Sequence, residues 1–180
     1  MTKQKLQSKM TDMRNIRIEK LTINIGAGKS VDKLEKGIKL IKHLTGVDPV
    51  KTVTQKRIPA WGLRPGLPIG CRLTLRGNAA VDFLKRILVA RDSRLSEGNF
   101  DNEGNISFGV TEYIDIPGAK YDPAIGIMGF QVCLTLERPG FRIKRRRFLK
   151  RKIPKNHRIP KEDAIDFAKN AFGVKIGEAE

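Results

Sequence analysis

Residues 69–76, Ile-Gly-Cys-Arg-Leu-Thr-Leu-Arg, decide what kind of fold this chain forms. Every second residue is apolar, namely Ile69, Cys71, Leu73 and Leu75. Strict alternation is typical of a strand that buries one side in a core and leaves the other side open. The polar residues of the stretch, Arg72, Thr74 and Arg76, are therefore predicted to point away from the core.

Other segments repeat this alternation or follow helical spacing. Strands are predicted at residues 16–25, 50–54, 106–110 and 130–136, the last as a central strand. Helices are predicted from Val31 to a stop at Gly46, from an N-cap at Asn78, and from Pro160 to Gly173. Residues 93–105 are interpreted as loop. The sum is an α+β fold, a mainly antiparallel sheet with helices packed on one face.

The positive charge is confined to two segments that contain no acidic residue. Residues 51–76 carry six Lys and Arg, and residues 138–161 carry twelve. The other eighteen basic residues nearly balance all 19 acidic ones, so these segments account for the net charge of +17. Such concentration indicates a polyanion as partner. We predict one domain over residues 1–180, with a long basic hairpin loop and a basic loop at 138–161 inserted before the last helix.

The remaining composition argues against several other classes of protein. A chain of 180 residues with 39% hydrophobic content supports one real core. Residues 1–17 are too polar for a signal peptide or a membrane span. Cys71 and Cys133 lie in separate apolar segments and are predicted to be reduced core thiols of a cytosolic protein. Neither a metal, another cofactor, a membrane nor a small-molecule substrate is expected.

The turn Gly-Ala-Gly-Lys-Ser at residues 26–30 invites an NTPase interpretation. In a phosphate-binding P-loop, four residues separate a first glycine from Gly-Lys-Ser, and Ile23 occupies the position of that first glycine. Nucleotide hydrolysis is therefore a remote alternative to a simple strand-to-helix turn. No other catalytic set emerges, and the chain is not predicted to be an enzyme.

The segment between the strands at 50–54 and 69–75 is broken by Pro and Gly and is predicted to form the long hairpin loop. Lys56, Arg57 and Arg64 flank its single tryptophan, Trp61. Two interpretations of Trp61 are open: it stacks on a base or sugar, or it folds back to cover the core.

Two further groups of residues are candidate RNA contacts. The outward sheet positions Asn24, Thr52, Thr54, Thr74 and Arg76 carry short hydrogen-bonding side chains edged by arginine. They suit a sugar–phosphate surface with 2′-hydroxyls, although a solvated face is the ordinary alternative. The basic run contributes Arg142, Lys144, Arg145, Arg146, Arg147, Lys150, Arg151 and Lys152. Because like charges repel, we expect this run to be poorly ordered before it meets phosphates.

Several blocks, in order over most of the chain, point to one family. They are RIEKLTINIGAGKS, LTGVDPVKTVTQKRIPAWGLRPGLPIGCRLTLRG, NFDNEGNISFGVTEYIDIPGAKYDPAIGIMGF and KEDAIDFAKNAFGV. The chain resembles the large-subunit ribosomal protein L five family, which binds 5S ribosomal RNA. The run ERPGFRIKRRRFLKRKIPKNHRI resembles the archaeal and eukaryotic branch, and the length suggests an archaeal member.

The resemblance implies a structural constituent of the large ribosomal subunit that holds 5S rRNA in the central protuberance. The sheet face, with Asn24, Thr52, Thr74 and Arg76, would contact that RNA. The hairpin loop would reach P-site tRNA and contribute to an intersubunit bridge. Its residues are Lys56, Arg57, Ile58, Pro59, Ala60, Trp61, Gly62, Leu63 and Arg64.

The resemblance also implies further partners and a location. The basic run would reach 23S rRNA, and neighbouring proteins of the central protuberance and a protein of the small-subunit head would complete the set. The location would be the cytoplasmic ribosome. An alternative from another class is a basic architectural protein that compacts DNA or RNA, which a preference for duplex DNA would reveal.

Overall fold

The computed structural model describes residues 13–177, so most of the polar stretch at 1–17 and the last three residues lie outside the described part. One antiparallel sheet dominates the fold. Its strands are β1 (Arg17–Gly26), β2 (Val50–Val53), β3 (Pro68–Leu75), β5 (Ile106–Val110) and β6 (Phe130–Glu137), in the spatial order β2-β3-β1-β6-β5. Two short strands, β4 (Arg94–Ser96) and β7 (Lys175–Gly177), pair in parallel beside it.

Two helices cover one face of the large sheet. Helix α1 (Val31–Thr45) packs on β3 and β1, and α2 (Gly77–Val89) packs on β1. The core lies between these helices and the sheet and includes Leu21, Ile23, Leu40, Ile41, Leu84, Ile87 and Val132, all shielded from solvent. Burial of these side chains is the main driving force for packing the helices against the sheet. The predicted α+β fold, with a mainly antiparallel sheet and helices on one face, is confirmed.

Local sequence explains how α1 fits. The Ser30 hydroxyl accepts a hydrogen bond from the Lys33 amide and caps the first turn. Gly46 adopts a left-handed conformation, with φ of 72°, and ends the helix as predicted. At Gly37 a Cβ would lie 3.2 Å from the Cys71 sulfur, so glycine lets the helix approach the sheet closely.

Helix α3 (Lys161–Phe172) follows the basic segment, which we define as residues 138–161. It starts after Pro160 and ends at Gly173, which has a φ of 64°, as predicted. Ala164 and Ala168 form its buried side.

Two predictions about elements were wrong. The predicted N-cap at Asn78 is wrong because β3 turns into α2 at Gly77, whose φ of 62° bends the chain at once. Residues 93–105 are not only loop, since they contain β4. A three-residue strand is too short to show alternation, and its partner β7 lies about eighty residues later in the chain.

Candidate nucleic-acid interface

The sheet face opposite α1 and α2 presents polar side chains in register, and we call it the open face. Its two central rows are Thr74–Thr22–Cys133 and Arg72–Asn24–Gln131, taken across β3, β1 and β6. The Asn24 amide nitrogen donates to the Gln131 side-chain oxygen over 3.2 Å. Strand pairing fixes the spacing of these positions before any ligand arrives.

The sequence-predicted set divides on this surface. Asn24 and Thr74 lie in the central rows, and Thr52 lies beside Gly70 at the edge formed by β2. The prediction that Thr54 shares this face is wrong, because Thr54 is buried and its hydroxyl donates to the Leu67 carbonyl over 3.2 Å. A register shift after Thr52 breaks the alternation that placed it outward.

One end of the open face carries an arginine cluster on two buried carboxylates. Glu19 is the extra residue of a β-bulge in β1, and Glu137 ends β6. Arg145 binds both: its Nη1 contacts Glu19 and its Nη2 lies 2.5 Å from Glu137 Oε2. Arg17 lies 2.8 Å from Glu137, and Arg76 lies 3.8 Å from Glu19 while donating to its carbonyl oxygen over 3.3 Å.

The arginines of the cluster compensate the charge of the two buried carboxylates. The two carboxylate side chains are only 5% and 8% exposed, and a buried charge requires a partner. Three guanidinium groups on two carboxylates leave one net positive charge. The three arginine side chains keep part of their surface in solvent, where an anion can reach them.

The hairpin loop, residues 54–67, is ordered by backbone hydrogen bonds at its base and near its tip. At the base the Thr54 amide donates to Leu67 and the Gly66 amide donates to Thr54. Near the tip, Ile58 and Leu63 exchange two hydrogen bonds of 3.0 Å around a 3-10 turn at Pro59–Trp61. The predicted hairpin with a long loop is confirmed.

The structure contradicts the core-covering interpretation of Trp61, because this side chain is 68% exposed whereas that of Leu63 is buried. Stacking of Trp61 on RNA stays a prediction. Around the tryptophan lie the exposed cations Lys56, Arg57 and Arg64. A Cβ on Gly62 would lie 3.8 Å from the Lys29 side chain, which brings a further cation to the tip that sequence reasoning missed.

Most backbone amides of the glycine turn at residues 26–30 already donate to carbonyl groups of the protein. The backbone amides of Ala27 and Gly28 both donate to the Ile69 carbonyl, over 2.9 and 3.0 Å. Ser30 serves as the N-cap of α1. The turn therefore joins β1 to α1 and braces β3, which is the structural interpretation and not the NTPase one.

The basic segment is more ordered than its charge predicted. It contains 3-10 turns at Phe141–Lys144 and Lys155–His157, and it buries Phe141, Ile153 and Ile159. Of the predicted phosphate-contacting residues, Arg142, Arg147, Lys150, Arg151 and Lys152 are exposed, and Lys144 and Arg146 are half-buried. The expectation of poor order is wrong because these apolar anchors and the contacts of Arg145 tie the segment to the fold.

The two cysteines occupy different environments. Cys71 lies in the core, and its burial raises the pKa of the thiol to about 11. Cys133 is half-buried on the open face, so the prediction that both are core thiols is right only for Cys71. Both are free.

Sequence reasoning left part of the open face out of the candidate site. Thr22, Arg72, Gln131, Cys133 and Ser107 lie on it but were not assigned a role. The signal was present in β6, whose buried Phe130, Val132 and Leu134 leave the residues between them on the other face.

Neither a metal-binding cluster nor a membrane-spanning helix is found in the described part of the chain. Among residues 13–177, no three His, Cys, Asp or Glu side chains come together as a metal site. No helix in the same range has both the length and the apolar character needed to cross a membrane.

Comparison with known proteins decides the family. The sequence profile described as "Ribosomal protein L5" matches residues 12–64, and the profile for the C-terminus of the same ribosomal family matches residues 68–167. The chain belongs to the ribosomal protein L5 family. The chain is 49% identical to the large ribosomal subunit protein uL5 of Sulfolobus acidocaldarius, over 92% of this chain and 93% of that protein. The chain is 48% identical to the uL5 protein of Nanoarchaeum equitans, and the match covers 91% of this chain and 97% of that protein. It is 44% identical to the uL5 protein of Methanococcus vannielii, with 91% of this chain and 92% of that protein covered.

Membership in the L5 family establishes the broad role of the chain. It is a non-enzymatic protein of the large ribosomal subunit, of archaeal type, located in the cytoplasmic ribosome. Its partners are RNA and ribosome components. The predicted family and archaeal branch are confirmed, and the remote NTPase alternative is wrong.

Proposed function

We propose that this L5-family chain binds 5S rRNA on the open face and helps attach that RNA in the central protuberance. The observation that carries the proposal is the pair of polar rows, Thr74–Thr22–Cys133 and Arg72–Asn24–Gln131, which end beside the arginine cluster. A flat surface of hydroxyl and amide groups matches the wide, shallow minor groove of an RNA helix, where 2′-hydroxyls are accessible. The arginine cluster adds phosphate contacts that position the RNA on this surface.

The hairpin loop is proposed to contact P-site tRNA and to contribute to an intersubunit bridge with a protein of the small-subunit head. Support comes from the exposed Trp61 on a closed 3-10 turn, surrounded by Lys56, Arg57, Arg64 and Lys29. An indole on a hydrogen-bonded tip loses little conformational entropy when it contacts RNA. The basic segment is proposed to contact 23S rRNA and neighbouring proteins of the central protuberance.

The thiol of Cys133 offers a direct test of the open face. We expect 5S rRNA to slow alkylation of Cys133 in the native protein, because the RNA would cover the row that contains this residue. Cys71 is an internal control: a buried thiol with a pKa of about 11 has almost no thiolate at neutral pH and should stay unmodified with or without RNA. Alkylation with N-ethylmaleimide is followed by mass spectrometry of peptides.

The comparison RNAs give the experiment its discriminating power. An unrelated structured RNA of the same length should bind through phosphate contacts and protect Cys133 much less at equal occupancy. If saturating 5S rRNA leaves the Cys133 rate unchanged, the open face is not the binding surface. If duplex DNA protects Cys133 as well as 5S rRNA does, the alternative of a nucleic-acid-compacting protein replaces the proposal.

A further inference from the structure

The basic segment contains a turn that exposes two large apolar side chains among its cations. Phe148 and Leu149, adjacent in sequence, are 75% and 76% exposed. Contacts with phosphates alone do not explain them, because neither side chain carries charge or a hydrogen-bonding group. We call residues 146–149 the tip turn.

The backbone of the tip turn is held in one uncommon conformation. Leu149 has a φ of 51°, in the left-handed region that side chains other than glycine rarely occupy. The Arg146 Nε donates to the Leu149 carbonyl oxygen over 2.8 Å and closes the turn. Two residues later, the Arg151 amide donates to the Ile143 carbonyl over 3.2 Å. Backbone strain of this kind is most often found at binding sites, where the surrounding contacts maintain it.

The base of the tip turn is anchored to the sheet. Arg145, the residue before it, contacts the buried carboxylates of Glu19 and Glu137. Phe141 on one side and Ile153 on the other are buried. The turn therefore projects from fixed points, which limits the entropy lost when it binds a partner.

The chemistry around Phe148 favours RNA as the partner. The Arg147 guanidinium carbon lies 5.3 Å from the centroid of the Phe148 ring, which backs one face of the ring with a cation. Residues 138–161 contain no acidic side chain, so the surroundings attract a polyanion and disfavour a basic protein surface. An aromatic ring in such surroundings is a stacking platform for a base.

We propose that the tip turn recognises an unpaired base of ribosomal RNA, with Phe148 stacking on the base and Leu149 packing beside it. The proposal rests on the proposed function in one respect, that RNA contacts the basic segment. It goes further in assigning recognition of local RNA structure to a segment whose charge alone would bind any phosphate backbone.

Two RNA hairpins with equal numbers of phosphates test the proposal with the full-length protein. One has a fully paired stem, and the other carries a bulged 2-aminopurine whose fluorescence reports stacking. Phe148→Ala should raise Kd for the bulged hairpin about 5- to 150-fold and abolish the fluorescence change, since one base stack is lost. The same variant should leave Kd for the paired hairpin and both salt dependences unchanged, because no charge is removed.

Three controls make the result specific to the tip turn. Ile127→Ala removes another highly exposed apolar side chain, outside the basic segments, and should change neither Kd. Phe148→Trp should keep the preference for the bulge, and Phe148→Leu should lose it. Equal weakening on both hairpins, or no weakening on either, overturns the proposal; the second result is the one expected if the turn contacts a protein and not RNA. Protection of Cys133 by 5S rRNA, measured on Phe148→Ala, should persist and separates failure here from failure of the open-face proposal.

Discussion

The open face and the basic segment present their polar and charged groups in different ways. On the open face, neutral side chains such as Thr22, Asn24 and Thr74 are spaced by strand pairing. In the basic segment, twelve cations lie on an irregular backbone tied down by Arg145 and a few buried apolar residues. The first arrangement controls positions accurately but has little charge, whereas the second has much charge and less regular geometry.

This difference suggests a division of labour. Phosphate contacts provide affinity and orientation without reading structure, and groups fixed on a surface provide discrimination. The arginine cluster joins the two regions, because Arg145 of the basic segment contacts Glu19 of β1 and Glu137 of β6. Under the proposed function, RNA attracted by the charged segment would therefore lie next to the open face.

The largest expected effect is the loss of 5S rRNA affinity with salt. Raising KCl from about 50 to about 200 mM should weaken binding by roughly 10³-fold, the loss expected for on the order of 5–8 phosphate contacts. The reason is that Lys and Arg side chains release counterions from the RNA when they bind its phosphates, and added salt opposes this release. Fluorescence anisotropy over a series of salt concentrations measures the slope. An affinity that does not change over this range would contradict the electrostatic account.

Variants of the two regions sharpen this measurement. Arg151→Ala with Lys152→Ala should reduce the salt slope by about two and weaken binding to all RNAs alike. Thr74→Ala should leave the slope unchanged and lower affinity for 5S rRNA by roughly fivefold, the value of one hydrogen bond, with little change for an unrelated RNA. If both variants changed the slope equally, the two regions would not differ in the way described.

The next effect is on the free energy of unfolding. Arg145→Ala should lower it by about 1–3 kcal/mol, because two buried carboxylates lose a partner. This loss of stability is smaller than the loss for a fully buried ion pair, because Arg145 is 41% exposed. In addition, Arg17 still pairs with Glu137 and Arg76 with Glu19 in the variant. Urea unfolding measures the change. Lys150→Ala removes the same charge from an exposed site and should not alter stability, and an equal loss in both variants would deny the cluster its structural role.

Local patterns in the sequence sufficed to predict the five strands of the large sheet, the hairpin and most helix ends. Alternation at 69–75 and 130–136 is a property of neighbouring residues, as are the stops at Gly46 and Gly173. The same patterns contained the outward positions of β6, although no site residue was taken from them. Membership in the family was also readable from the order of the sequence blocks.

Features that depend on register or on distant contacts could not be predicted in this way. One bulge turns Thr54 inward and another creates Glu19 as an extra residue, and alternation alone shows neither. The order of the basic segment depends on carboxylates at positions 19 and 137, and a count of charges within the segment misses them. Long-range ion pairs have no local sequence signature.

The smallest expected effect concerns the hairpin loop, where replacing Trp61 and replacing Leu63 should have different consequences. Trp61→Ala should leave the melting temperature and the 5S rRNA affinity unchanged, because the indole is exposed on the 3-10 turn of the loop and is not one of the residues in the rows of the open face. Leu63→Ala, two residues later, should cost roughly 2 kcal/mol, since it removes a buried side chain. Reconstituted large subunits carrying Trp61→Ala should retain 5S rRNA but hold P-site tRNA less well. If Trp61→Ala destabilised the protein as much as Leu63→Ala, the tryptophan would belong to the core of the loop, and a tRNA defect would then report misfolding and not a lost contact.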